Sequence, residues 1–446
     1  MTEPSGYRRT LPLLAACLLA LAIPLPFTFG SVGVIGVVAT AVLLCGKILF
    51  RNLRHRKLLW LPLALYGWTL ASALWSHNGT ETSHILSTKL PLLLLPLAIG
   101  CSDLYEEPSR RRVMTFLTLG VAAVGAYCMW TSYSHYRVDG DVQGLFYHRL
   151  VAGLSANAVY MAWYAVTAIL FLLLEPLKLR GRRGTAAMFL RGGALLLLLA
   201  FFLMLAARTL LLLFMVAVLP VILIRSFGRK MPLPQKILTW AFVGAVALAL
   251  GVAARQPAIQ ARFRELGESR PELSFLKRYK GEENTFSNMN VRLFLWRIGL
   301  ENMGASPQTL LLGTGVGDAK EAINQSIRDL GIPNMEKDHP ERSAFYNINL
   351  HNTFLHTALA TGLPGLLLAI AMAGTLLRLG IRQFSRRPFL FFFAALSVAF
   401  MMQEAVFETQ AGTVFYTLVY SVFVSGLYSE RRSGSLSAYP RARMIP

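Results

Sequence analysis

The chain has 446 residues, 54% of them hydrophobic and only 15% charged, with a mean hydropathy of +0.49. A soluble domain is about half apolar but roughly a quarter charged, so this composition excludes a soluble globular enzyme and indicates a polytopic membrane protein. The net charge of +21 does not mark a nucleic-acid binder, because the basic residues are distributed along the chain with a regular alternation.

In chain order, hydropathy predicts twelve spans near 11–27, 31–49, 58–75, 86–101, 113–134, 151–174, 193–207, 209–224, 236–253, 352–377, 389–407 and 412–429. Basic clusters fall at every second connection: Arg8-Arg9, "RNLRHRK", Arg110–Arg112, "KLRGRR", "RSFGRK" and "RQFSRR", with "ERR" and "RAR" in the tail. Intervening connections such as "SHNGTETSHI" and "TQAG" carry no Lys or Arg. Cytoplasmic loops hold the positive charge, so both termini are expected in the cytoplasm. "LAAC" at 14–17 matches a lipoprotein cleavage box by letter, but ten further apolar residues make it part of a first membrane helix. The four cysteines lie within or at the ends of spans, so no disulfide framework is indicated.

Residues 194–224 are apolar except for Arg208. As one helix they would measure about 46 Å, too long for about 30 Å of hydrocarbon. Both flanks are basic, so an even number of crossings lies between them. Two short spans therefore meet at "LAARTLL", with Arg208 at an external turn close to the membrane surface. An arginine buried there calls for an anionic partner.

One long hydrophilic stretch, residues 254–350, separates spans nine and ten. It carries 13 Lys and Arg against 12 Asp and Glu, and it contains aromatics, so it is expected to fold. The division is then 1–253 with nine spans, 254–350 as an external helical segment, and 351–446 with three spans and a tail. Three helical patches stand in the middle segment: "AIQARFRELGE", "NMNVRLFLWRIGLENM" and "GDAKEAINQSIRDLGI". "LLGTGVGD" lies before the third. Its glycine run is a weak phosphate signal, and a flexible turn is its plain reading.

Polar residues near the external face are the chemical candidates. Arg208 could snorkel to headgroups, Arg292 could be a solvated loop residue, and His351 could be an ordinary helix-start residue. Asn352 reads as a local cap, and Gly362 and Gly365 as close helix packing. Lys89 ends a span and could meet phosphate. Arg149 in "GLFYHRL" is placed similarly. Glu404 is an acid inside an apolar run and could hold an arginine. His356, five residues after His351, points away from it on a helix. "VDGDV" has the D-x-D spacing of Asp139 and Asp141 but reads as a polar loop. No His/Cys/Asp cluster has metal-ligand spacing, so metal-independent chemistry is expected.

Taken together, Arg292 with Trp296, Leu312 with Gly313, Gly315 and Gly317, and "HNTFLHTALATGLPG" from His351 resemble the O-antigen ligase and O-antigen polymerase superfamily. "AARTLLL" around Arg208 is similar to its earlier signature. The resemblance implies an all-α, GT-C-like membrane glycosyltransferase of about twelve transmembrane helices with a helical periplasmic loop. It also implies a donor glycan on undecaprenyl pyrophosphate, a lipid A–core acceptor, no cofactor and no nucleic-acid partner. His351 becomes the base that deprotonates an acceptor hydroxyl. Arg208, Arg292, Arg149 and Lys89 become ligands of the pyrophosphate, with Asn352, Glu404 and Trp296 in support. The motifs leave ligase, polymerase and protein O-oligosaccharyltransferase open, with ligase favoured. A twelve-span lipid or solute transporter is the alternative from another class; no half-to-half repeat of the kind such folds show is visible.

Overall fold

A computed structural model describes residues 6–45, 53–100, 105–175, 181–228, 233–253, 255, 260, 270–279, 286–332 and 345–432. Among these residues every regular element is helical. The helices used below are α1 (Gly6–Ala22), α2 (Phe27–Cys45), α3 (Trp60–Ser72), α4 (Gly79–Lys89), α5 (Pro91–Gly100), α6 (Glu107–Asp139), α7 (Ala158–Leu174) and α8 (Gly181–Met204). They continue with α9 (Arg208–Leu213), α10 (Leu219–Phe227), α11 (Leu233–Ala253), α12 (Asn288–Gly304), α13 (Pro307–Leu312), α14 (Ala319–Asp329), α15 (Thr353–Arg382), α16 (Pro388–Met401) and α17 (Gln410–Arg432).

Seven helical stretches are long and apolar enough to cross a membrane, and five more are apolar but only 10–17 residues long. Each of the twelve spans expected from hydropathy falls on one of these, with shifted ends. The first helix stops at Ala22 because Pro24 and Pro26 follow. The sixth begins at Ala158 rather than 151, because Leu150–Leu154 are taken up in short turns and Ser155 adopts φ 49°. Asn157 then caps the helix, accepting from the Val159 N–H at 2.8 Å. As expected, the apolar run 194–224 is broken, at Leu205–Ala207, where Ala206 has φ 47°.

Helix α7 is apolar on every side, and fifteen of its seventeen residues are buried. It is therefore a central helix. Trp163 on α7 packs at 4.6 Å from both Phe400 of α16 and Phe415 of α17. By contrast, α2 exposes Phe29, Val32, Ile35 and Leu43, the side chains expected to meet lipid.

The hydrophilic stretch builds a second, smaller core. Phe294, Leu295 and Ile298 of α12 and Ile323 and Ile327 of α14 pack with Ala358–Ala360 of α15. So the first turns of α15 belong to this core as much as to the bundle. Of the three helical patches read there, the second is α12 and the third is α14; "AIQARFRELGE" lies almost wholly outside the described residues.

What joins the two cores is a break in α15. Gly362 has φ 69° and ψ −170°, a conformation open essentially to glycine alone, and Pro364 follows without an N–H. The carbonyls of Leu359, Ala360 and Thr361 thereby lose helical donors and need others. Thr314 N–H takes Leu359 at 2.8 Å, Gly315 N–H takes Ala360 at 3.2 Å, and Trp68 Nε1 takes Thr361 at 2.7 Å. Gly313 lies so close that a Cβ there would come within 2.5 Å of the Thr361 nitrogen. The glycine run is thus a clamp on the broken helix, and its amides are committed to protein rather than phosphate.

A second tie sits beside it. Asp318 accepts from the backbone N–H groups of His77 and Asn78, both at 2.8 Å. Partial burial opposes charge on Asp318, but these bonds and the His77 ring outweigh it and hold the carboxyl below its usual range. Lys320 pairs with Glu81 at 2.7 Å across the same seam.

The break at Gly362 is testable. Gly362→Ala is expected to lower stability by about 1–3 kcal/mol from backbone strain alone, with a further loss because its Cβ would meet the Leu311 carbonyl at 2.1 Å. Gly374→Ala, in the same helix with open space around it, should leave the thermal midpoint in detergent unchanged. Equal midpoints for the two variants would reject the clamp.

Candidate functional site

At the end of the bundle that bears the hydrophilic stretch, several segments remote in sequence line a cavity of about 410 Å³. That is within the usual range of ligand sites, about 300–1,000 Å³. Arg208 enters from the first turn of α9, Arg292 and Trp296 from one face of α12, and Gln403 and Glu404 from the segment after α16. Tyr147 closes another side.

Glu404 is the junction. One carboxylate oxygen lies 3.3 Å from an Arg292 guanidinium nitrogen and the other 3.2 Å from His351 Nδ1. Arg292 Nε also reaches the Gln403 carbonyl at 3.4 Å. An ionised carboxylate only accepts, so this arrangement puts the imidazole proton on Nδ1 and leaves the Nε2 lone pair available. Glu404 is 7% exposed, whereas the His351 side chain keeps 30% of its surface open.

The segment carrying Glu404 is held by the residues that follow His351. Thr353 Oγ1 donates to the Glu404 carbonyl at 2.7 Å and accepts from the Val406 N–H at 2.9 Å. Asn352 caps α15, accepting from Phe354 and Leu355 N–H at 3.0 Å each, and its Nδ2 donates to the Met402 carbonyl at 3.2 Å. Its reading as a cap was correct, and its amide does a second job that only the fold reveals. His351 itself has φ 45°, and its N–H donates to Asn349 Oδ1 at 2.8 Å. Tyr147 and Ala206, on the cavity wall, also have positive φ, 57° and 47°. Three non-glycine residues in this region, each costing of order 1–3 kcal/mol, mark a place where the fold imposes geometry.

Arg208, Arg292, Trp296 and Glu404 therefore share one cavity; His351 is not among its lining residues but contacts Glu404, which is. Lys89 and Arg149 do not line it. The Lys89 ammonium lies 2.6 Å from Glu408, with both side chains almost fully buried, and His356 Nε2 lies 3.4 Å from the same carboxylate. Burial opposes charge on Glu408, yet Lys89 and His356 together hold its carboxyl well below the usual range. Arg149 is exposed and pairs with Asp141 at 2.5 Å, which also gives the D-x-D loop a structural occupation. His356 and His351 serve different carboxylates, although His351 precedes the cap of α15 and is not on the helix their spacing assumed. Sequence reading missed Gln403 and Tyr147 as cavity residues; neither carried a signal apart from closeness to Glu404 and Arg149.

The described residues thus place two arginines, a carboxylate and an aromatic side chain together at one end of an apolar helical bundle. Residues 193–370 match the family model described as O-antigen ligase, and this match supports the O-antigen ligase and polymerase superfamily that the motifs resemble. The matched segment contains Arg208, Arg292, Trp296, the glycine clamp and His351, but not Glu404. No curated protein matches the chain.

Lys89 and Arg149 should behave differently on mutation. Lys89→Met leaves a buried carboxylate without its ammonium and is expected to cost about 3–5 kcal/mol, seen as a lower thermal midpoint in detergent. Arg149→Ala breaks an exposed pair and should stay within about 1 kcal/mol. A mild Lys89→Met would return that lysine to the list of substrate ligands.

Proposed function

We propose that this protein is an O-antigen ligase, transferring polysaccharide from undecaprenyl pyrophosphate to a sugar hydroxyl of lipid A–core. The observation that carries the reading is the bridge His351–Glu404–Arg292 at the wall of a cavity that also receives Arg208. In this proposal all twelve apolar helices cross the bacterial inner membrane in a GT-C-like arrangement. Both termini are cytoplasmic, and residues 254–350 lie in the periplasm.

The chemistry follows from the charges. The acceptor oxygen attacks the anomeric carbon, the bond to the pyrophosphate oxygen breaks, and the acceptor proton passes to His351 Nε2. Undecaprenyl pyrophosphate leaves with both bonding electrons, and Arg208 and Arg292 stabilise the charge that grows on it. Glu404 fixes the imidazole tautomer and offsets the charge of imidazolium, the role a buried acid plays beside any histidine base. His351 meets one carboxylate oxygen of Glu404 and Arg292 the other. That supports an acceptor approaching opposite the leaving group, with inversion of the anomeric centre. Lys89 holds Glu408 and is not assigned to the donor here.

The test is a deletion strain complemented with wild type, His351→Ala or Glu404→Gln. Capped lipopolysaccharide should vanish in the deletion, with polymer accumulating on the lipid carrier, and return only with wild type. In a purified assay His351→Ala should lower the rate by roughly 10²–10⁴-fold. A deletion profile of core plus a single repeat would instead identify a polymerase, and an unchanged profile would remove the reading.

A further inference from the structure

The cavity has two kinds of wall. Arg208 and Arg292 suit a pyrophosphate, but the aromatic surface offered by Trp296 does not. Trp296 stands four residues after Arg292 on α12, just over one helical turn or about 6 Å along the axis. A group bonded directly to a phosphate held by Arg292 would therefore lie beside the indole. The indole Nε1 is buried and bonds no acceptor among the described residues, whereas buried tryptophan N–H groups usually find one. Gln403 lines the same cavity, half-buried. Its main-chain carbonyl is taken by Arg292 Nε at 3.4 Å, and its carboxamide has no hydrogen bond to any described residue. A flat apolar face beside an amide that both donates and accepts is the chemistry that receives a pyranose: C–H groups on the ring, hydroxyls on the amide.

We propose that Trp296 and Gln403 form the subsite for the first sugar of the donor, the pyranose bonded to the pyrophosphate. This rests on the donor assignment made above. The subsite adds affinity for the glycosylated lipid over the bare carrier, while the arginines bind the part common to both. Trp296 is thus a recognition residue, and its removal acts on donor affinity.

The experiment titrates purified full-length protein with undecaprenyl pyrophosphate and with the same carrier bearing one N-acetylglucosamine. Wild type should bind the glycosylated carrier about tenfold more tightly, the scale of one good aromatic contact plus a hydrogen bond. Trp296→Ala should abolish that preference and leave bare-carrier binding within about twofold, while Trp296→Phe, which keeps an aromatic face, should retain most of it. Gln403→Ala reduces the preference without touching the ring, and so tests the subsite even if Trp296→Ala does not fold. Equal weakening for both lipids would make Trp296 a packing residue, and an unaltered preference would put the sugar elsewhere; either overturns the subsite. If wild type binds neither lipid, the donor assignment itself falls, and that result is visible before any variant is made.

Discussion

The arrangement depends on a buried carboxylate shared by an arginine and a histidine. Glu404 has only 7% of its surface exposed at the end of an apolar bundle, where an ion without partners is strongly disfavoured. Arg292 comes from the hydrophilic segment and His351 from the start of α15, so satisfying Glu404 draws three distant parts of the chain together. The cavity exists because they meet there. The same contact orients the imidazole, so the interaction that stabilises the end of the bundle also sets which ring nitrogen faces away from the carboxylate.

Holding that contact to a fixed geometry requires the hydrophilic segment to be rigidly joined to the bundle. The break at Gly362 does this by releasing three carbonyls that the glycine clamp and Trp68 then take up. A continuous helix would have met its own hydrogen bonds and offered the segment nothing directional to bind. Asp318, with His77 and Asn78, fixes the start of α14 on the same seam. The second carboxylate pair, Glu408 with Lys89 and His356, anchors the end of the segment whose beginning carries Glu404. The positively charged residues of this region thus divide into Lys89, which holds the frame, Arg149, which makes an exposed pair with Asp141, and Arg208 and Arg292, which face the cavity.

Much of this was legible in the chain. Twelve apolar segments, the split at Ala206–Arg208, the Asn352 cap and a role for Glu404 beside an arginine all followed from hydropathy, helix length and the cost of burying charge. The glycine run was misjudged as a flexible turn. Spacing says that glycine is required, but only the approach of α15 shows that the requirement is close contact with backbone. Lys89 was grouped with the phosphate ligands because its partner, Glu408, is more than three hundred residues away in the sequence.

The sequence alone determined which segments are apolar, roughly where the membrane helices lie, and which residue types could carry the chemistry. These properties are local, set by transfer free energy, caps and backbone conformation over a few neighbours. Tertiary structure decided which charges meet. Pairing of Glu404 with both Arg292 and His351, and of Lys89 with Glu408, depends on how helices remote in sequence pack end to end. No local pattern encodes that choice, because in an apolar surrounding a buried charge takes whichever opposite charge the fold brings within reach.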